Sequence, residues 1–237
     1  MKNFALLALI AAAASSQAAI ITQWDFNFGN DANTSTGTLN PVLGSGTAAL
    51  FGGNTSTFAS GDATGGSSDP NVGDDSAWNT TTYAAQGTGD KSRGVEFLVS
   101  TAGSQNIMVM FDLRHSNTSS RFIQFQYTTD GATWVDFGAA FEAVSGGDFW
   151  YNQRTVDLST VSAVNDNASF GIRFTPTFAP NTTEYYGATA NAASGYATTG
   201  TLRYDMVTIS GDAVPEPASL IALGAGIAAF AARRRRK

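Results

Sequence analysis

Apolar side chains recur at every second position through the middle of this chain, and that alternation limits it to β structure. Trp24, Phe26 and Phe28 fall on one face of Gln23–Phe28, with Gln23, Asp25 and Asn27 opposite. Val95, Phe97 and Val99 repeat the pattern, as do Ile107, Val109, Phe111 and Leu113. In that last run Met108 and Met110 lie on the other face, which predicts a strand covered on both sides. Ile123, Phe125 and Tyr127 alternate with Gln124 and Gln126. Asp130-Gly131 then marks a tight turn, with Trp134–Phe137 as the return strand. Arg154–Leu158, Ser169–Thr175 and Leu202–Ser210 complete a set of roughly eight strands. No helical period of useful length interrupts them. Strands of this number and spacing predict an all-β domain, a two-sheet β-sandwich of jelly-roll type.

Gly29–Asp90 reads differently. It holds 12 of the 25 glycines and predicts long loops with short strands such as Ala48–Phe51. Trp78 and Tyr83 imply that part of it folds onto the sandwich. The chain has no cysteine, so stability must come from the core or from bound ions, and thiol chemistry is excluded.

The two ends carry the only long apolar runs. Residues 1–18 place Lys2 before the unbroken run Phe4–Ala14, then Ser16-Gln17-Ala18. That order is a secretory signal peptide, and the small residues predict cleavage after Ala18. At the other end Val214-Pro215-Glu216-Pro217 precedes Ala218–Ala232, which contains no charge. As a helix this run would be roughly 22 Å long, short for a ~30 Å hydrocarbon core. Arg233, Arg234, Arg235, Arg236 and Lys237 close the chain. Five cations in a row stop transfer, stay cytoplasmic and can snorkel to relieve a short span. The expected organisation is therefore a signal peptide (1–18), a sandwich ectodomain (19–211), a linker (212–217), a transmembrane helix (218–232) and a basic tail (233–237). Residues 19–217 hold seven basic and nineteen acidic side chains, a net charge near −12. Such a surface argues against nucleic acid and against anionic lipid.

The order of proline motif, short apolar span and terminal arginine cluster resembles the PEP-CTERM sorting signal of Gram-negative bacteria. The resemblance implies an exported protein held transiently in the inner membrane. It also implies an exosortase-type membrane protease that reads Pro215, Glu216 and Pro217, and a destination at the cell surface or in an extracellular, biofilm-type matrix. Phe111–Phe137 with the closing Leu202–Gly211 resembles galactose-binding-like jelly rolls of carbohydrate-binding modules. This implies a non-enzymatic protein with exopolysaccharide as partner. A purely structural coat protein is an alternative.

His115 is the sole histidine, in a strand end or loop. With no Gly-x-Ser-x-Gly elbow beside it, a Ser–His–Asp site is not expected. A secreted hydrolase using paired carboxylates ~5–9.5 Å apart is a further alternative, although nothing singles out Glu96, Glu142 or Glu184. No cofactor is required. A structural calcium would draw on oxygens such as those of the turn Asp69–Asp75. By analogy with related jelly rolls, Asp25 and Asp205 are also candidates. Exposed aromatics for sugar stacking are sought in Phe149-Trp150-Tyr151 and Tyr185-Tyr186.

Overall fold

The computed structural model describes residues 18–29, 32–70, 75–214 and Gly224. The motif Pro215-Glu216-Pro217, the basic residues Arg233–Lys237 and the expected signal-peptide residues before Ala18 lie outside them. Ala18 is exposed and immediately precedes the first strand. Among the described residues no helix is long and apolar enough to cross a membrane.

The alternation folds as it predicts, into two antiparallel sheets. Thirteen strands occur among the described residues: β1 (Ala19–Trp24), β2 (Leu43–Gly44), β3 (Thr47–Phe51), β4 (Thr55–Ser60), β5 (Ser76–Thr81), β6 (Gly94–Leu98), β7 (Ser104–His115), β8 (Phe122–Thr128), β9 (Val135–Asp136), β10 (Phe141–Glu142), β11 (Phe149–Asp157), β12 (Gly171–Pro176) and β13 (Leu202–Ala213). Sheet A runs β11-β7-β13-β1-β2. Beside the first half of β13 lies β5, with β4 beyond it. Sheet B runs β10-β8-β12-β6-β3, with β9 also on β8. The domain is thus an all-β, two-sheet sandwich.

Aromatic rings from the two inner faces fill the space between the sheets. Trp24 of β1 meets Phe97 of β6 edge-on at 4.9 Å, and Phe111 of β7 lies 4.3 Å from Phe174 of β12. Trp24, Trp78, Phe97, Phe111, Phe125, Phe174 and Tyr204 are all fully buried. Removing one such ring would cost about 3–5 kcal/mol.

Several sequence expectations need correction. The strand count rises from eight to thirteen, because short strands such as β2, β9 and β10 leave no periodic signal. Gly29–Asp90 holds four short strands, β2 to β5, between its loops, where only Ala48–Phe51 was expected by position. Within it Trp78 and Tyr83 are buried, as expected. The first strand ends at Trp24. Phe26 sits at φ +58°, so the chain turns there, and Phe28 is left 58% exposed instead of sharing the buried face. The return strand Trp134–Phe137 shrinks to β9. Phe149–Tyr151 belongs to β11, not to a loop. β13 runs through Asp212 and Ala213, residues assigned above to the linker.

Candidate functional site

β13 shares one edge between two strands set end to end. Its residues Leu202–Tyr204 pair with β5, and Val207–Gly211 pair with β1. A bulge between Asp205 and Thr208 marks the join, with Met206 at φ +46°. Bulges re-aim side chains, and this one directs Asp205 into the gap between β1 and β5. Asp75, just before β5, enters the same gap.

Carboxylate oxygens of Asp69, Asp75 and Asp205 lie within 4.8 Å of one another. Asp75 and Asp205 are 1% and 0% exposed. Asn27 joins the two strand ends: its Nδ2 donates to Asp69 Oδ2 at 2.8 Å, and its Oδ1 accepts the Ser76 N–H at 2.7 Å. Asp75 Oδ2 accepts from Ser67 Oγ at 3.3 Å, and Asp205 Oδ1 accepts the Met206 N–H at 2.8 Å. The other oxygens, Asp75 Oδ1 and Asp205 Oδ2, are buried without a donor from any other residue, and the two carboxyls lie close enough to share a proton. Gly61 closes the cradle. A Cβ there would stand 1.8 Å from Asp75 Oδ1. Burial pushes both carboxyls well up from their ordinary range, and the negative charges of Asp69 and Asp62 add to this at Asp75.

Two orphaned carboxylate oxygens in a closed oxygen-rich gap fit a hard cation such as Ca²⁺. Of the residues considered from sequence, Asp205 and the two ends of the Asp69–Asp75 turn come together. Asn71–Asp74 lie outside the described residues. Asp25 is not in the triad; it accepts the Asn27 N–H at 3.2 Å and so shapes the turn that places Asn27.

The outward face of sheet B offers different chemistry. Ile172 and Phe174 of β12 point into the core, so Arg173 points out. Across the strands its row reads Asp136, Gln126, Arg173, Glu96 and Ala49. Arg173 Nε and Nη2 donate to Glu96 Oε2 at 2.9 and 2.6 Å. Its guanidinium also lies over the rings of Phe51, at 4.1 Å, and Trp134, at 3.9 Å. Opposite Phe51 stands Gly94, where a Cβ would come within 3.0 Å of the ring. Gln126 Nε2 and Lys91 Nζ both donate to the Asp136 carboxylate. A cavity of about 370 Å³ opens at one end of this sheet between Thr47, Leu98, Ser100, Gly131 and Ser169.

The aromatics singled out from sequence serve packing instead. Trp150 is 5% exposed and its Nε1 donates to Ala63 O. Tyr185 is buried, stacked on Tyr196 at 4.7 Å, with its hydroxyl donating to Gly89 O. Phe149 alone of these is well exposed. In the sequence Trp134 falls within an expected return strand, and nothing local marks Phe51 or Arg173. The cue for them was positional: Phe51 ends β3, Arg173 lies on β12 and Trp134 just precedes β9, a meeting visible only once the register is known. His115 ends β7 fully buried, with Nδ1 2.9 Å from Ser120 O. Burial pushes its pKa down to about 3, and it stays neutral.

Among solved structures, the chain is similar to the N-terminal CBM22-1-CBM22-2 tandem domain of Paenibacillus barcinonensis Xyn10C. The TM-score is 0.50 at 13% identity, over 87% of this chain and 49% of that one. The chain therefore spans about half of that tandem. The CBM22-1 xylan-binding domain of the same protein gives 0.48 at 12% identity, over 85% of this chain and all of that one. The tandem's likeness shows the jelly-roll fold. No curated protein matches the chain in sequence. The PEP-CTERM protein-sorting motif matches residues 213–236, beginning on the last residue of β13. The chain therefore carries an exported protein's sorting signal, addressed to the cell surface or the extracellular space, behind a jelly-roll domain.

Proposed function

We propose that this is a non-enzymatic carbohydrate-binding protein of the surface or extracellular matrix of a Gram-negative bacterium, and that the outward face of sheet B holds an exopolysaccharide. One observation carries this reading: Arg173 held over the rings of Phe51 and Trp134 in a row of planar polar side chains. Rings offer apolar faces to the C–H faces of sugars, and fixed amide, carboxylate and guanidinium groups match pairs of hydroxyls. The carbohydrate-binding modules that share the fold lend support. Glu96 and Glu142 are tied to Arg173 and Arg121, which suits positioning better than acid–base chemistry. Asp69, Asp75 and Asp205 would hold a cation that neutralises the buried acids and pins the segment 61–70 to sheet A.

The test is affinity electrophoresis of the full chain in detergent, through gels containing host exopolysaccharide or plant β-glycans. Retardation of the wild type should fall at least tenfold in Trp134→Ala, with the melting temperature unchanged. Equal retardation of both proteins would refute the platform.

For sorting, we propose that a signal peptidase cuts after Ala18, that Arg233–Lys237 stay cytoplasmic, and that an exosortase-type protease acts at Pro215-Glu216-Pro217. Intact mass of the mature protein from its host should lack residues 218–237. Alanine at all three motif positions should leave them attached in the inner membrane. A wild-type mass that retains them would reduce the motif to a plain anchor.

A further inference from the structure

Both export ends of the chain leave the sandwich at the same pole. Ala19, the first residue of β1, pairs with Gly211 near the end of β13. Ala213 pairs with Ser104, and the Val214 N–H still bonds to Gly103 O at 2.8 Å. Four residues, Val214–Pro217, then separate the last strand from the uncharged run that starts at Ala218. Five Cα steps cover at most roughly 18 Å, and two of the four residues are prolines that stiffen the path. From its Ala213 end β13 extends back twelve residues, roughly 40 Å at strand rise.

We infer that the pole built from the turn Ser100–Gly103, the segment Asn165–Asn167 and the end of β13 faces the phospholipid bilayer in the anchored precursor. This rests on the reading of 218–232 as a membrane segment. The pole is tied together by its own contacts. Gly103 N–H donates to Asp166 Oδ1 at 2.7 Å, Asn106 Nδ2 to Asp212 Oδ2 at 2.9 Å, and the Thr101 N–H to Asn167 O at 2.8 Å. Its two aspartates disfavour insertion among anionic headgroups, so the pole stands on the surface rather than in it. The cavity beside Ser100 and Ser169 lies at this pole and faces the membrane side. The long loop after β12, which carries the Tyr185–Tyr196 stack, points away from it. A surface-anchored form presents that loop, and not the cavity, to the surroundings.

Because the chain has no cysteine, single-cysteine variants read out position directly. The full precursor carrying Ala102→Cys, at the near pole, or Thr183→Cys, in the far loop, would be labelled with an environment-sensitive dye. Each would be reconstituted into phosphatidylcholine vesicles containing a headgroup spin-labelled lipid. Quenching should be at least threefold stronger at 102 than at 183. A second pair, Ser100→Cys and Glu184→Cys, guards against a variant that folds poorly. Equal quenching in a precursor that resists alkaline extraction would overturn the orientation alone. A precursor that washes off the vesicles would overturn the membrane anchor and the orientation together.

Discussion

Arg114 on sheet A and Arg173 on sheet B both point outward from their sheets, yet their side chains are 8% and 21% exposed. The difference lies in what covers them. The segment 61–70 crosses the outside of sheet A and ties itself down at many points. Thr64 Oγ1 accepts from Arg114 Nε at 2.8 Å, Gly66 O accepts from Asn152 Nδ2 at 3.0 Å, and the Ser68 N–H donates to the buried Asp112 carboxylate. Among the described residues no comparable segment covers the row around Arg173. Sheet A therefore gathers buried charge that must be neutralised. Sheet B leaves rings and planar polar groups within reach of a ligand. If sheet B is the platform proposed above, stability chemistry and recognition chemistry occupy opposite faces of one fold, and each can be perturbed without the other.

The largest effect should come from removing the cover's anchor. Trp150→Ala deletes a ring that is 5% exposed and the hydrogen bond from its Nε1 to Ala63 O. A cost of about 3–5 kcal/mol is expected, read by denaturant melts, and protease should then cut within 61–70. Polysaccharide retardation of the folded fraction should not change. A loss of retardation equal to that of Trp134→Ala would erase the division between the faces.

Chelation should act next most strongly. A cation at 100 times its dissociation constant contributes about 2.7 kcal/mol, roughly 5–10 °C for a domain of this size. Calorimetry should show EDTA lowering the melting temperature and Ca²⁺ restoring it. Asp205→Asn should be insensitive to both. A wild type indifferent to EDTA would mean that the buried carboxyls are simply protonated.

Acid sensitivity should come third. His115 lies at the end of β7 in sheet A, and burial holds its pKa near 3 when folded, against ~6.5 when unfolded. Below pH 6.5 the unfolded chain therefore takes up a proton that the folded chain refuses. Stability from the neutral ring is complete above pH 6.5 and falls as the pH drops towards 3. By pH 5 the loss from the high-pH plateau is about 2 kcal/mol. Subtracting the curve of His115→Gln, measured with EDTA throughout, isolates it from Asp75 and Asp205, whose raised pKa values act in the opposite sense. Parallel curves for the two proteins would show that the ring is not held neutral.

The sandwich was legible because its long strands alternate: Ile107–Leu113 and Ile123–Tyr127 announce their inward faces without help. The acidic site was half legible. Asp205 and the Asp69–Asp75 turn could be suspected, but the bulge at Asp205–Thr208 and the role of Asn27 depend on β1 and β5 meeting end to end along β13. Nothing local encodes that meeting. The aromatic clusters misled because Trp150 and Tyr185 look like surface residues amid glycine and asparagine. Their partners, Ala63 and Tyr196, belong to loops that only tertiary structure brings over them. Phe51, Trp134 and Arg173 are far apart in sequence, and only the strand order β8-β12-β6-β3 makes them neighbours.

The smallest effect on stability should separate the faces most sharply. Arg173→Lys keeps the charge but loses the paired donation to Glu96 and the guanidinium's contact with the rings of Phe51 and Trp134, because an ammonium is a point donor without a plane. The ion pair is partly exposed, so its loss should cost no more than about 1 kcal/mol. If the platform binds sugar through a rigid planar group, retardation should nevertheless fall several-fold, approaching that of Trp134→Ala. If Arg173→Lys retains full retardation while Trp134→Ala loses it, the ring alone binds and the polar row is scaffolding. If the melting temperature drops as far as it does for Trp150→Ala, sheet B also carries its structure on its outside, and the contrast between the faces fails.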